Sequence, residues 1–309
     1  MGGSGGGSYT DWNRDQLSKA VREDSEKSAA EFDTQLAEYL GELLSMFNTR
    51  DRELVSSRLE EAKTALQDDM ETTLDQIFGG SVAKRTYIDG FSDIDSLLIL
   101  KASKFDAKSP EVILTRMESI LRDHLADDVR VEHGKMAVTL TYPDGMQIQL
   151  LPAIQTESGL RVPSGRHDGW SDINPDAFQN ALKSRNADCG GRLVPTIKLA
   201  KAVVATLPEK YQLSGYHIES MAIAAFKGYN DTKTTERMLP LFFEHAKSIV
   251  RSPIRDKTGQ SIHVDEYLGE ENSSLRQELS HILSGIAKRM RNASAAKSKS
   301  QWKEIFGDE

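Results

Sequence analysis

Cysteine is almost missing from this 309-residue chain: only Cys189 occurs. An intrachain disulfide is therefore excluded, and so is a zinc site built on paired thiolates. No apolar run of about 18 residues is present, so no membrane span is expected. The chain also lacks a positive balance. Lys and Arg total 39 against 47 Asp and Glu, a net charge of −8, which argues against general binding of duplex nucleic acid while leaving a local basic groove open. Internal repeats and long low-complexity tracts are absent. The opening "MGGSGGGSYTDW" has neither a basic nor an apolar region, so it is not read as a signal peptide. Residues 1–8 read as a flexible linker or tag, and the chain as a cytoplasmic protein, monomeric by default.

What is present is ordinary globular material, 38% hydrophobic and 28% charged, enough for one large or two smaller packed domains. From Thr10 to about Phe78 apolar residues recur at spacings of three and four, as in "EFDTQLAEYLGELLSMF", and predict a helical spine. Short strand-like segments follow: "RTYI", "SDIDSLLIL", "VRVEH", "MAVTLTY" and "MQIQLLPAI", with a helix over about 110–125 among them. The turns "HGK" and "YPDGM" join the last three into a meander. A second helical region runs from about Pro175 to the end. The expected division is a core with its helical spine over 9–160 and a helical lobe over 161–309, with a ligand cleft between sheet and helices.

The stretch "GGSVAKRTYIDGFSDIDSLLIL" carries the chemistry. Asp93 and Asp95 are two apart on a strand, so they share a face, while Ile94 turns to the core. Two carboxylates so close repel unless a cation sits between them. Oxygen donors of this kind suit magnesium, which completes its shell with substrate phosphates. Upstream, Gly80 and Ser81 allow backbone N–H groups to approach such phosphates. The plainer reading is a surface turn with solvated acids.

"GGS" followed by "TYIDGFSDIDSLLIL" resembles the nucleotidyltransferase signature of the polymerase β superfamily, and more narrowly that of the bacterial CD-NTases, relatives of animal cGAS and the oligoadenylate synthetases. The likeness extends through "LLPAI", "GWSDINPDAF", "RLVPTIKLAKAV", "LSGYHIESMA", "GQSIHVDEYLG" and "QWKEIFG", covering about residues 50 to 309. It implies an α+β fold: a polymerase β-type core, made of a mixed sheet with a long helical spine, plus a C-terminal helical lobe. It implies Mg2+ or Mn2+ as cofactor and nucleoside triphosphates as substrates. The product would be a cyclic or short linear oligonucleotide, often one that activates an antiphage effector. Carried onto this chain, Gly80 and Ser81 would bind donor phosphates and Asp93 and Asp95 the metal. Lys201 and Lys198 would reach the triphosphate, Ser214 would contact the donor phosphate, and Tyr216 would stack on its base. Without the resemblance, the two lysines read as solvated and Tyr216 as a core residue. His217 reads as structural, and Trp170 and Trp302 as packing anchors.

One position departs from the pattern. Two-metal phosphoryl transfer uses a third carboxylate on a neighbouring strand, and in the family it lies three residues before the proline of "LLPA". Here that residue is Gln149, whose amide offers an oxygen but no charge. If Tyr142 and Met146 flank the turn, Thr139, Thr141, Gln147 and Gln149 share the polar face, and Val138, Leu140, Ile148 and Leu150 the other. Three explanations stay open: an inactivated enzyme that still binds nucleotide, recruitment of another acid such as Glu132 or Asp144, or activity with a changed acceptor. Beside the oligonucleotide-forming enzyme stand two other readings: a nucleotide-binding pseudoenzyme or regulator, and a transferase acting on a protein or RNA.

Overall fold

The computed structural model describes residues 14–47, 52–70, 74–78, 94–100, 108–156, 159–164, 168–257 and 263–308, with the backbone alone at 14, 52, 74–78, 94, 95 and 175. Two long helices come first, α1 (Arg14–Met46) and α2 (Arg52–Met70). Among the described residues seven strands follow: β1 (Leu74–Phe78), β2 (Ile94–Leu100), β3 (Arg130–His133), β4 (Val138–Thr141), β5 (Gln147–Thr156), β6 (Gly159–Pro163) and β7 (Trp170–Ile173). Helix α3 (Pro110–His124) separates β2 from β3, and begins with proline in its first turn, where no N–H is needed. The remaining helices are α4 (Pro175–Asp188), α5 (Leu193–Ala205), α6 (Gly215–Ala225), α7 (Thr235–Ile249), α8 (Ser274–Ala295) and α9 (Lys299–Phe306).

The strands form one mixed sheet in the order β1-β2-β5-β4-β3, with β6 and β7 extending from the far end of β5. Strands β2 and β5 run parallel; every other pair is antiparallel. The expected alternation is present: Val138, Leu140, Ile148 and Leu150 are buried, whereas Thr139, Thr141 and Gln149 are half-buried and Gln147 is exposed. Their apolar face packs on α2 and α3 through Leu59, Leu66, Leu114 and Leu121. On the opposite face Leu97 and Ile99 meet Ala153 and Val162. Both faces of β2 are thus covered, which is why "SLLIL" is a continuous apolar run rather than an alternating one.

Three elements differ from the sequence expectation. Leu74–Phe78 was expected to end the helical spine, but it is an edge strand paired antiparallel with β2 over all five residues. Five residues are too few for periodicity to separate the last turns of a helix from a short strand, and the sheet edge decides. The short strands β6 and β7 lie where only a connection was expected. The spine also divides between two cores. Phe32, Leu36, Tyr39, Leu40 and Leu43 of α1 join the helical core of α4 to α9, whereas α2 covers the sheet. The segment "RTYI" lies outside the described residues.

Candidate active site

The parallel pairing of β2 with β5 sets the register at the sheet centre: Ile94 with Ile148, Asp95 with Gln149, Ser96 with Leu150. Register partners occupy the same face of a sheet. The row continues across β4 and β3, Gln149 opposite Thr139 and Thr139 opposite Glu132. Gly80, Ser81 and Asp93 lie outside the described residues, as does the side chain of Asp95. Position 149, a neutral amide, is thus the immediate strand neighbour of Asp95.

The two acids considered as substitutes are held elsewhere. Asp144 sits in the β4–β5 turn, where Gly145 takes a positive φ of 83°. Its carboxylate accepts the Met146 N–H at 3.1 Å and an Arg58 Nη1 hydrogen bond at 2.9 Å. Arg58 belongs to α2, on the apolar side of the sheet, and its guanidinium lies 3.9 Å from the Tyr142 ring centre. Those bonds hold the Asp144 carboxyl below its ordinary range. Glu132 is two strands from Gln149, about 10 Å at ordinary strand spacing, and is engaged by Arg130 Nη2 at 2.7 Å. Neither residue adjoins Asp95 in the sheet. Among the described residues, no group of three or more His, Cys, Asp or Glu is arranged to hold a metal ion. Gln149 brings to this row an amide oxygen without charge, whereas a hard divalent ion is better served by carboxylates.

The lobe contributes a second cluster. Helix α5 is buried nearly all round, with Ile197, Leu199, Ala200 and Val203 in the core. Its Lys198 and Lys201 are buried too, at 9% and 6% exposure, rather than solvated. Lys201 Nζ donates to Glu219 Oε1 of α6 at 2.8 Å. That ammonium reaches the start of α6, because a Cβ at Gly215 would lie 3.1 Å from Nζ. Glycine is what allows the lysine to come so close. Ser214 caps the same helix, its Oγ accepting the His217 N–H at 3.2 Å. A helix N-terminus presents N–H groups suited to phosphate, and the Lys201 ammonium lies beside this one with its charge shared by Glu219.

Tyr216 follows. Its hydroxyl donates to Asp256 Oδ1 at 2.7 Å, and its ring packs on Phe178 with centres 4.5 Å apart. Glu219 and Asp256 were missed in the sequence. The signal for Glu219 was a lone acid within the apolar run "HIESMAIAA", which in a buried helix calls for a cation. His217 is fully buried, and its Nδ1 pairs with the Tyr267 hydroxyl at 2.9 Å. Burial pushes its imidazole down to about 4, the nearby Asp265 opposing and Arg276 assisting, so the ring is neutral at pH 7. Trp302 is fully buried, while Trp170 is half-buried and donates from Nε1 to the Lys108 carbonyl at 3.0 Å.

Residues 32–186 match the SMODS family, the Second Messenger Oligonucleotide or Dinucleotide Synthetase domain. The chain belongs to this family. No curated protein matches it in sequence. Among solved structures it is similar to CdnC of E. coli MS115-1, determined with ATP, at 15% identity and a TM-score of 0.65, covering 91% of this chain and 97% of that one. It is similar to the CD-NTase CdnG of Bradyrhizobium diazoefficiens in complex with GTP, at 14% identity and 0.64, covering 82% and 89%. The cyclic AMP-GMP synthase DncV of Vibrio cholerae gives 10% identity and 0.62, covering 96% and 91%. The SMODS fold seen here is thus a polymerase β-type nucleotidyltransferase core with a helical lobe. No helix among the described residues is long and apolar enough to cross a membrane.

Proposed function

We propose that this SMODS protein is a magnesium-dependent nucleotidyltransferase that joins nucleoside triphosphates into a cyclic or short linear oligonucleotide signal, acting in antiphage defence. In this reading, residues 9–160 carry the catalytic core and 161–309 the helical lobe that completes the cleft, with α1 packed into the core of the lobe. Asp93 and Asp95 would hold the metal. Bound there, Mg2+ or Mn2+ would neutralise the triphosphate and polarise the α-phosphorus. Gly80 and Ser81 hold donor phosphates through backbone N–H groups and the serine hydroxyl. Lys201, fixed by Glu219, supplies positive charge beside the first turn of α6, with Lys198 one turn earlier and Ser214 at the cap. In the reaction, a 2′- or 3′-hydroxyl oxygen of the acceptor bonds to the donor α-phosphorus. The bond to the β-phosphate oxygen breaks, pyrophosphate leaves, and the hydroxyl proton passes to solvent.

The observation that carries this reading is the buried Lys201–Glu219 pair against Gly215, at a helix start in a chain of the SMODS family. A buried ion pair is a weak source of stability, so its placement beside the N–H groups of a helix start speaks for a binding role. The register of Asp95 with Gln149 favours one second reading, a nucleotide-binding protein with impaired turnover. A neutral amide there weakens the acceptor side more than the donor side. The test is incubation with Mg2+ or Mn2+ and all four labelled nucleoside triphosphates, every labelled species being resolved, with Asp93→Asn/Asp95→Asn as control. A phosphatase-resistant product that vanishes in the control supports the enzyme. Bound nucleotide without product supports the second reading, and label on protein or RNA would replace both.

A further inference from the structure

Six large apolar side chains are exposed among the described residues, and Tyr267 is the one aromatic among them, at 52% exposure. Its hydroxyl is nevertheless anchored. It lies 3.2 Å from the Ser214 backbone nitrogen, whose N–H it accepts, and 2.9 Å from His217 Nδ1. The His217 ring meets the Tyr267 ring edge-on, centres 6.0 Å apart.

The anchor has its own support. His217 Nε2 lies 3.6 Å from Asp265 Oδ2, longer than a hydrogen bond. Asp265 in turn is held by Arg276 Nη1 at 2.7 Å, both residues fully buried. Arg276 also donates to the carbonyls of Val250, Gly269 and Asp265 itself, which fixes the loop carrying Tyr267. The anionic Asp265 favours the imidazole tautomer with its proton on Nε2. Nδ1 is then the acceptor, and the Tyr267 O–H donates to it. The Ser214 N–H thus donates to the Tyr267 hydroxyl and that hydroxyl to His217, while Arg276 donates to Asp265 from the other side. The ring is pinned at its tip, and it remains half-open to solvent.

We propose that Tyr267 is a base-stacking side chain of the nucleotide site, presented by the relay of His217, Asp265 and Arg276 against the cap of α6. The inference rests on the nucleotide-binding reading above and deepens it. Ser214, which the Tyr267 hydroxyl touches, precedes the glycine that receives Lys201. The ring is therefore within one nucleotide's length of the phosphate end. Tyr216 offers less: its ring is half-buried and already packed on Phe178, whereas that of Tyr267 is exposed. A pinned ring has little rotamer freedom left to lose on binding, so stacking on it is pre-organised. Every base has a π-face, so such a platform favours nucleotides over bare phosphates without choosing one base by hydrogen bonds.

The test compares calorimetric binding of ATP, GTP and inorganic tripolyphosphate, with Mg2+, to the wild type, Tyr267→Ala and Tyr267→Phe. Tyr267→Ala should weaken ATP and GTP about tenfold or more, leave tripolyphosphate within about twofold, and leave Tyr267→Phe close to wild type in its preference for nucleotide over tripolyphosphate. Unchanged nucleotide affinity in Tyr267→Ala overturns the proposal. So does an equal loss for tripolyphosphate, which would make Tyr267 a support for the helix start alone. A wild type that binds none of the three removes the nucleotide-site reading itself. Should Tyr267→Ala fail to fold, photolabelling of the wild type with 8-azido-ATP decides. Label on the peptide containing Tyr267 supports the proposal, and label confined to the Tyr216 peptide contradicts it.

Discussion

Lys201 and Glu219 are the residues whose pairing most constrains the site. Both are buried, at 6% and 1% side-chain exposure. Removing the ammonium while the carboxylate stays leaves a buried charge without its counter-ion. Lys201→Met should therefore cost about 3–5 kcal/mol in urea denaturation, and adding Glu219→Gln should recover part of the loss. Neither change restores triphosphate binding. His217 gives a second test at this scale. Its folded-state pKa of about 4 lies below the ordinary 6.5, because burial disfavours the charged ring. Between those values the unfolded chain takes up the proton and the folded chain does not. This contribution is fully present above pH 6.5 and is lost as pH falls toward 4. The difference in melting temperature between wild type and His217→Gln should accordingly shrink on acidification through that window. A constant difference would contradict the assignment.

At the scale of elements, the start of α6 joins a cap, a glycine and a cation. Gly215→Ala removes a flexible backbone position but brings a Cβ to 3.1 Å from Lys201 Nζ. The two effects oppose, so stability should change by no more than about 1 kcal/mol. Triphosphate affinity should fall several-fold, because the lysine tip must move. Calorimetric titration with ATP beside a denaturation curve separates the two. The β4–β5 hairpin was legible in the sequence because strict alternation and a Pro-Asp-Gly turn fix both face and register, and with them the aspect of Gln149. Edge strand β1 was not, since its five residues follow a long helical pattern and only pairing with β2 distinguishes them. Lys201 could be singled out through family resemblance, while its partner Glu219 lies 18 residues away on another helix and shows only as an acid out of place. Asp256 and the Arg276–Asp265 pair depend on loop geometry that periodicity does not carry.

Across the whole molecule, a sheet core and a helical core are joined by α1 and α2, which pack into different halves. The net charge of −8 sets the long-range field against polyanions. Added duplex DNA should therefore leave nucleotide turnover unchanged at moderate salt, which a product assay with and without DNA would show. At the sheet centre Asp95 is paired in register with an amide, Gln149, where two-metal transfer calls for an acid. The most direct measurement is the rate of pyrophosphate release from nucleoside triphosphates with Mg2+, compared among the wild type, Gln149→Asp and Asp95→Asn. A slow wild type is expected, with a gain of about a hundredfold in Gln149→Asp and no release above background in Asp95→Asn. A Gln149→Asp variant no faster than the wild type, or an Asp95→Asn variant as fast, would contradict it.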